Sequence, residues 1–477
     1  MAAVGDDPEG AQLILAGAGS GKTTVLARRI AYLSDPAFAG RGILALTFTK
    51  DAALEMGTRL RDSGALAQGL SQPWIGTFHA FAFSIIRTEC AGVPNWRRLG
   101  FSACPALLDA ADRAEWIKTN AGSSADTAEA WLARPFEEPS ANPENPVAPE
   151  TESERSRLRA AYRLHLETIG ALAFDDMVGL ALRLWHDHPE TLADCRARYP
   201  RILVDEFQDT SRDQLELVAM LGGATPSLFL VGDDDQAIYG FRGADPRNLA
   251  AALAAFPGMT IRKLETNYRS SAPIVAYANS VFHGKPAALR KTLRAGAERG
   301  SAPVRTVVHR EGAGQARWMI AEMERLRREE GLQWGDMAVL FRLNVLAPYY
   351  RDLLRRMAGE RAASEVKLVT VHASKGLEYP AVFFTGLEDG ILPYRRRGAV
   401  LPPERMEEER RIFYVGVTRA QRFLYLCACR RRILRGKPVA ADPSPFLFRG
   451  PVLPGASLRG AGGALAGAWR AFRAVRK

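Results

Sequence analysis

At 477 residues the chain is too long for one ordinary core, so two domains with an insert are expected. Its 47% hydrophobic and 25% charged residues suit a globular enzyme. No run approaches the ~18–20 apolar residues of a membrane span, and Met1-Ala-Ala-Val-Gly-Asp-Asp lacks the basic start and apolar stretch of a signal peptide. The net charge of +11 fits a polyanionic partner, because neutralised phosphates release counterions.

In chain order, short apolar β-rich runs alternate with helical stretches. Leu13–Leu15 leads into the glycine-rich segment Ala16–Thr23 and then a helix; Ile43–Phe48, Ile202–Val204, Leu228–Val231 and Met259–Leu264 repeat the rhythm. Residues 88–173 break it and read mainly as helix. Within them Ala133–Glu154 carries Pro135, Pro139, Pro143, Pro146 and Pro149 among many acids, the composition of a loop or disordered segment inside a helical insert. His186-Asp-His188 reads as a solvated helix end, since the histidines form no ligand-like cluster. The alternation resumes with Val304–Val308, Ala338–Phe341, Val366–Val371 and Ala381–Phe384. Cys90, Cys104, Cys195, Cys427 and Cys429 are scattered and odd in number, as free thiols of a reducing cytoplasm would be, and Cys427-Ala-Cys429 reads as alternation on a strand rather than a zinc pair. Gly450–Lys477 reads as a loosely ordered basic tail with a short helix near Ala464–Val475. Together these signals predict an α/β fold of doubly wound parallel sheets, with ligands at the carboxyl ends of the strands.

The polar signatures lie at those ends. Ala16-Gly-Ala-Gly-Ser-Gly-Lys22-Thr23 follows a strand and opens a helix. Its glycines let backbone amides approach a phosphate chain, Lys22 meets the terminal phosphates and Thr23 ligates Mg²⁺. An accidental glycine-rich turn is the alternative, and Ala16 departs from the usual first glycine. Ile202-Leu-Val-Asp205-Glu206-Phe-Gln-Asp209 supplies a carboxylate for Mg²⁺ at Asp205 and a group at Glu206 to orient and deprotonate water. The acids also suit a helix N-terminus, with Asp209 or Thr210 as its cap.

The order of motifs over most of the chain resembles the UvrD/Rep/PcrA family of superfamily 1 DNA helicases. The resemblance rests on Ala16–Thr23, Thr47-Phe-Thr-Lys-Asp-Ala-Ala53, Gly76-Thr-Phe-His79, Val204–Thr210, Val231-Gly-Asp-Asp-Asp-Gln236-Ala-Ile-Tyr239-Gly-Phe241-Arg242-Gly-Ala244, Thr266-Asn-Tyr268-Arg269-Ser270, Val369–Glu378 and Tyr414–Ala420. It implies two RecA-like P-loop domains sharing ATP and Mg²⁺, the phosphates held by Gly17, Ala18, Gly19, Ser20, Gly21, Lys22, Thr23 and Thr24. Glu206 and Gln236 would act in hydrolysis, Arg269 and Arg419 would reach the transferred phosphoryl group as arginine fingers, Tyr268 would stack on adenine and Glu378 would lie near the ribose. The nucleic-acid track would comprise Thr47, Phe48, Thr77, Phe78, His79, Tyr239, Phe241, Arg242 and His372, its aromatic rings stacking on bases. Phe48 and Phe78 also fit a core, His372 a satisfied histidine at a strand end, and Arg419 a surface helix position beside Arg410, Arg411 and Arg422.

Two departures qualify the resemblance. Only Met1–Gln12 precedes the phosphate loop, where the family carries an adenine-reading segment, and Thr24 replaces a common arginine; a misassigned start codon would account for the former. Only residues 345–365, enough for one helix and a turn, stand where relatives insert a large subdomain. The expected division is a first RecA-like domain (1–87 and 174–265), a helical insert (88–173), a second RecA-like domain (266–449) and a tail (450–477). The resemblance implies a cytoplasmic ATPase moving 3′→5′ on single-stranded or tailed duplex DNA, a monomer or weak oligomer, recruited by a repair or replication protein. A translocase without processive unwinding and a non-catalytic DNA-binding remnant are the alternatives.

Overall fold

The computed structural model describes residues 10–34, 42–62, 72–108, 110–120, 149–223, 227–245, 247–282, 289–296, 300–395, 399–434 and 436–448. Contacts divide the chain into two units, Met1–Ala16 with Gly21–Lys263 and Gly17–Ser20 with Leu264–Lys477. Among the described residues no helix is long and apolar enough to cross a membrane.

The first unit contains β1 (Gln12–Ala16), β2 (Ile43–Thr47), β3 (Trp74–Thr77), the short β4 (Glu89–Cys90), β5 (Val93–Pro94), β6 (Ala106–Leu107) and β7 (Ala171–Leu172), then β8 (Arg201–Val204), β9 (Ser227–Gly232) and β10 (Thr260–Leu264). Six of them form one sheet in the order β10-β1-β9-β8-β2-β3. Neighbours from β1 through β3 run parallel. β1, β2 and β8 are buried at every residue. That is why they appear in sequence as unbroken apolar runs: helices cover both faces of a parallel sheet. The amphipathic helix Lys22–Leu33 buries Leu26, Ala27, Ile30 and Leu33, the one-face spacing of a helix on a sheet.

Within residues 88–173, Ala110–Asn120 and Pro149–Ile169 are helices around a small core of Ile117, Tyr162, Leu166, Ala171 and Ala173. The expected loop Ala133–Glu154 is therefore too long at its end: a helix starts at Pro149, the residue type tolerated in a first turn because its missing N–H would have no partner there. Residues 133–148 and the tail 450–477 lie outside the described residues.

The second unit holds β11 (Thr266–Asn267), β12 (Arg294–Ala295), β13 (Arg305–Glu311), β14 (Met337–Phe341), β15 (Lys367–Thr370), β16 (Tyr379–Thr385), β17 (Ala420–Leu434) and β18 (Lys437–Ala440). Its main sheet has the order β13-β17-β16-β14-β15, all parallel, with β18 antiparallel on β17. Cys427, Ala428 and Cys429 lie on the strand as expected, and all three are fully buried because both faces on which they alternate are covered. β17 lies between β13 and β16 in a sheet covered on both faces. Residues 345–365 contain two helices, Ala347–Ala358 and Glu360–Glu365, broken at Gly359 by its positive φ of 89°, rather than one.

A buried polar network ties this unit together. Arg432 donates to Glu388 Oε2 at 3.0 Å and Oε1 at 2.9 Å, to Gln315 Oε1 at 2.8 Å and to the Tyr350 hydroxyl at 3.1 Å. The Cys429 N–H donates to Glu388 Oε1 at 2.8 Å. Removing one member of such a pair leaves an uncompensated charge in a low-dielectric interior. Glu388→Ala is therefore expected to destabilise the protein by about 3–5 kcal/mol in denaturant titration, far more than loss of the exposed Arg355–Glu360 pair.

Candidate nucleotide site and nucleic-acid interface

β1 delivers the chain to a tight glycine loop. Gly19 and Gly21 have positive φ (66° and 83°), a conformation that a side chain disfavours. Ser20 closes the turn, its N–H and hydroxyl both donating to the Gly17 carbonyl at 3.2 and 2.8 Å. The helix that opens at Lys22 has no side-chain cap, so its first N–H groups and positive dipole end are available to an anion. Thr24, in the same turn, accepts a 3.1 Å hydrogen bond from Arg59. Gly17–Ser20 belongs by its contacts with the second unit. There Asn267 donates to the Ala18 carbonyl at 2.7 Å and the Tyr268 N–H to Gly19 at 2.9 Å.

The second carrier of charge is the end of β8. Asp205 is anchored through its N–H to the Leu46 carbonyl of β2 at 2.9 Å and is only 3% exposed. Its carboxylate accepts the Glu206 N–H at 2.9 Å. Glu206 itself adopts the left-handed region (φ 48°), which costs a non-glycine residue on the order of 1 kcal/mol. Lys22 Nζ donates to Glu206 Oε2 at 3.0 Å. Burial, reinforced by the neighbouring charge of Glu206 and only partly offset by Lys22, pushes the Asp205 carboxyl up to about 7. A buried acid raised in this way beside a second, half-buried carboxylate is what a divalent cation would compensate. With the Thr23 hydroxyl, Asp205 offers the hard oxygen donors that suit Mg²⁺.

Gln208 links this pair to the next loop. Its amide donates to Glu206 Oε2 and to Asp209 at 3.3 Å, and accepts the Asp233 N–H at 2.7 Å. Asp233 in turn accepts from the side chain of Gln236 and from the Asp235 N–H at 3.1 Å. Lys22, Glu206, Gln208, Asp233 and Gln236 thus form one continuous hydrogen-bonded chain. Sequence reasoning quoted Gln208 and Asp233 within motifs but gave neither a role. The cap of the helix Arg212–Gly222 is Ser211, in a reciprocal pair with Gln214, and neither Asp209 nor Thr210. Thr210 instead donates to the Phe207 carbonyl at 2.7 Å.

The same unit gathers the aromatic residues. Phe48 stacks on Tyr239 with ring centroids 5.2 Å apart, and Phe241, 62% exposed, tilts against Tyr239 at 6.0 Å. Arg242 ends the short turn Gly240–Arg242. His79 stacks on Phe174 at 4.1 Å. Burial lowers the His79 pKa against the opposing pull of Asp175, which favours the neutral ring. Phe78, by contrast, is 2% exposed, and the structure takes the core alternative: at the start of the helix Phe78–Arg87 its ring packs inward and offers no face to a base. Thr47 and Thr77 are buried as well. The Thr47 hydroxyl donates to the Thr49 carbonyl at 3.0 Å, and Thr77 caps the following helix by accepting the Ala80 N–H at 3.2 Å.

In the second unit, Asn267 organises the turn that carries Tyr268 and Arg269. Its side-chain oxygen accepts the N–H groups of Arg269 and Ser270 at 2.9 and 2.7 Å. Tyr268 is 57% exposed. Arg269 pairs with Glu378 and donates to the Thr418 carbonyl at 3.2 Å, while Gln421 donates to Glu378 at 2.8 Å. Burial would raise the Glu378 carboxyl, but Arg269 and Gln421 hold it below its ordinary value. Arg419 is not a surface residue: it is 1% exposed, and its guanidinium donates to the Val415 and Leu377 carbonyls at 3.0 and 3.1 Å. Buried cations persist where backbone oxygens satisfy them. His372 is half-buried just beyond β15, at the strand end.

The family model for the UvrD/REP helicase N-terminal domain matches residues 2–257, and that for the UvrD-like helicase C-terminal domain matches 351–431. A probable DNA helicase of Mycoplasma pneumoniae is 32% identical over 432 residues, covering 87% of this chain and 80% of its own. The ATP-dependent DNA helicase Rep of Escherichia coli is 26% identical over 631 residues, covering 92% of each chain. DNA helicase II of the same organism is 32% identical over 357 residues, 73% of this chain and 48% of its own.

The raised Asp205 carboxyl sets a sign for stability. The native state keeps this proton up to about 7, whereas the unfolded chain releases it near 3.8, so stability falls as pH rises through that window. Without Mg²⁺, Asp205→Asn should therefore melt above the unsubstituted protein at pH 8, by several degrees or roughly 1–2 kcal/mol, and the difference should vanish below pH ~4. Added Mg²⁺ should stabilise only the unsubstituted protein, as paired melting curves at both pH values would read.

Proposed function

The chain belongs to the UvrD/Rep family of ATP-dependent DNA helicases, and from that premise we propose that it is a motor that travels 3′→5′ along single-stranded DNA and couples ATP hydrolysis to strand separation. The observation that supports this reading best is the hydrogen-bonded chain from Lys22 to Gln236. It joins a triphosphate grip to a loop that continues into exposed aromatic residues suited to base stacking.

In this reading the loop amides and Lys22 hold the phosphates, and Lys22 exchanges its bond to Glu206 for one to the terminal phosphate. Glu206 then orients and deprotonates the attacking water, which displaces ADP from the γ-phosphorus. Thr23 and Asp205 would hold Mg²⁺, which would supply positive charge against the charge developing on the phosphates. Gln236 reports the γ-phosphate to the nucleic-acid side. Arg269 and Arg419 supply positive charge to the phosphoryl group in flight, Tyr268 stacks on the base and Glu378 serves the ribose. For the last four residues the support is the family's motif order; in the resting arrangement Glu378 and the Thr418 carbonyl hold Arg269, and the Val415 and Leu377 carbonyls hold Arg419. The nucleic-acid track is assigned to Phe48, Tyr239, Phe241, Arg242, His79 and His372. We assign residues 1–87 with 174–265 and residues 266–449 to the two motor domains, and 88–173 to the insert.

A second reading is favoured by one observation. Residues 345–365 hold only two short helices, and the alignment with Rep extends over 631 positions for a 477-residue chain, so the relative has many positions without a counterpart in this chain. A motor without those positions could translocate and strip bound protein without processive unwinding.

Paired ATPase and unwinding assays on 3′-tailed, 5′-tailed and blunt duplexes separate the readings. DNA-stimulated hydrolysis with release from the 3′-tailed substrate alone is expected; stimulation without release favours the bare translocase, and no stimulation sinks both. Lys22→Ala and Glu206→Gln should abolish turnover while leaving DNA binding intact. Phe241→Ala should weaken single-strand binding about tenfold, the scale of one lost stacked base.

A further inference from the structure

Gln208 is fully buried and every polar atom of its amide is engaged. Its nitrogen donates to Glu206 Oε2 and Asp209, and its oxygen accepts the Asp233 N–H. Glu206 Oε2 therefore receives two donors at once, Lys22 Nζ and Gln208 Nε2. A carboxylate oxygen occupied by two donors is badly placed to accept a proton from water. The two restraints differ in what can remove them. An incoming triphosphate attracts Lys22, a cation. It has no comparable hold on Gln208, a neutral amide fixed to the backbone of the Asp233 loop.

That loop is built to sit on Gln208. A Cβ placed on Gly232 would come within 2.9 Å of Gln208 Oε1, so glycine is what allows the close approach. Beyond it, Asp233 grips Gln236, and the chain runs on to Tyr239, stacked on Phe48, and to exposed Phe241. A base entering this aromatic cluster would displace the loop that holds the Gln208 amide. Phe48, moreover, follows β2, whose Leu46 carbonyl anchors Asp205.

We propose that Gln208 is a positioning residue that latches Glu206 in a resting arrangement until nucleic acid moves the Asp233–Gln236 loop, making ATP hydrolysis conditional on DNA. Nucleotide removes one restraint and DNA the other. The proposal rests on the motor reading above and adds to it a residue and a direction: loss of the latch raises hydrolysis in the absence of DNA. Spatial adjacency alone does not establish coupling, which is why the test measures the dependence of rate on DNA.

The test compares ATP hydrolysis by the full chain with and without saturating oligothymidylate for the unsubstituted protein, Gln208→Met and Gln208→Glu. Methionine keeps the volume and removes both links. Glutamate retains an acceptor for the Asp233 N–H but cannot donate to Glu206. Melting curves identify which variants fold. The expected result is a DNA-free rate raised about fivefold or more, a stimulation ratio reduced by a similar factor, and an ATP KM within about twofold of the unsubstituted value. The proposal is overturned if either folded variant keeps a stimulation ratio within about twofold of the unsubstituted protein, even when both absolute rates fall together, as a purely structural role predicts. Absence of stimulation in the unsubstituted protein would instead sink the motor reading itself.

Discussion

Lys22 and Glu206 are 184 positions apart in sequence and 3.0 Å apart in space, and much of the first unit serves to make that approach possible. β1 and β8 are not neighbours: β9 lies between them, so both strands must end on the same edge for their loops to meet. A parallel sheet does this by construction, since every strand delivers its carboxyl end to one side. The ion pair also settles an electrostatic problem. Two acids stand in succession at the end of a fully buried strand, and one of them is held in the left-handed region. Without Lys22 and the amide of Gln208, the second would be a poorly compensated charge.

Much of the framework was legible because buried parallel strands advertise themselves. Each apolar run read as a strand is one in the structure, give or take one to three residues at its ends. β3 was not anticipated as such, being four residues long and containing Gly76, too short for its composition to rise above that of a loop. The insert's last helix was shortened in sequence by weighing Pro149 as a breaker when it is a first-turn residue. Ser211 was overlooked because three consecutive residues could each have capped the helix, and only the phase of its apolar face selects among them.

The site was legible as an inventory and less so as a circuit. The groups proposed to meet phosphate and metal are recognisable types at fixed spacing. Gln208 accepts a hydrogen bond from a backbone N–H on a different strand-end loop, a partner that leaves no trace in residue identity. Arg419 was read as an arginine finger, with a basic surface position as the alternative because its neighbours are basic; its guanidinium is inward and held by carbonyls, which any sequence possesses. Phe78 shows the reverse: a motif position suggested a base contact, and the helix it begins needed a core residue.

The burial of β17 has a practical consequence. Cys427 and Cys429 are sealed within it, and burial, the leading cause, drives both thiols far from the thiolate form, Cys429 to about 12; Cys195, also buried, is pushed to about 12 as well. Since the thiolate is the reacting species, all three should ignore alkylating dyes that find an exposed sulfur. Cys104 is exposed and Cys90 half-buried, and both lie within residues 88–173, the proposed insert. The natural chain therefore already bears attachment points for a fluorophore within that stretch alone, and the environment of the stretch could be followed as nucleotide or DNA is added without first removing the other cysteines.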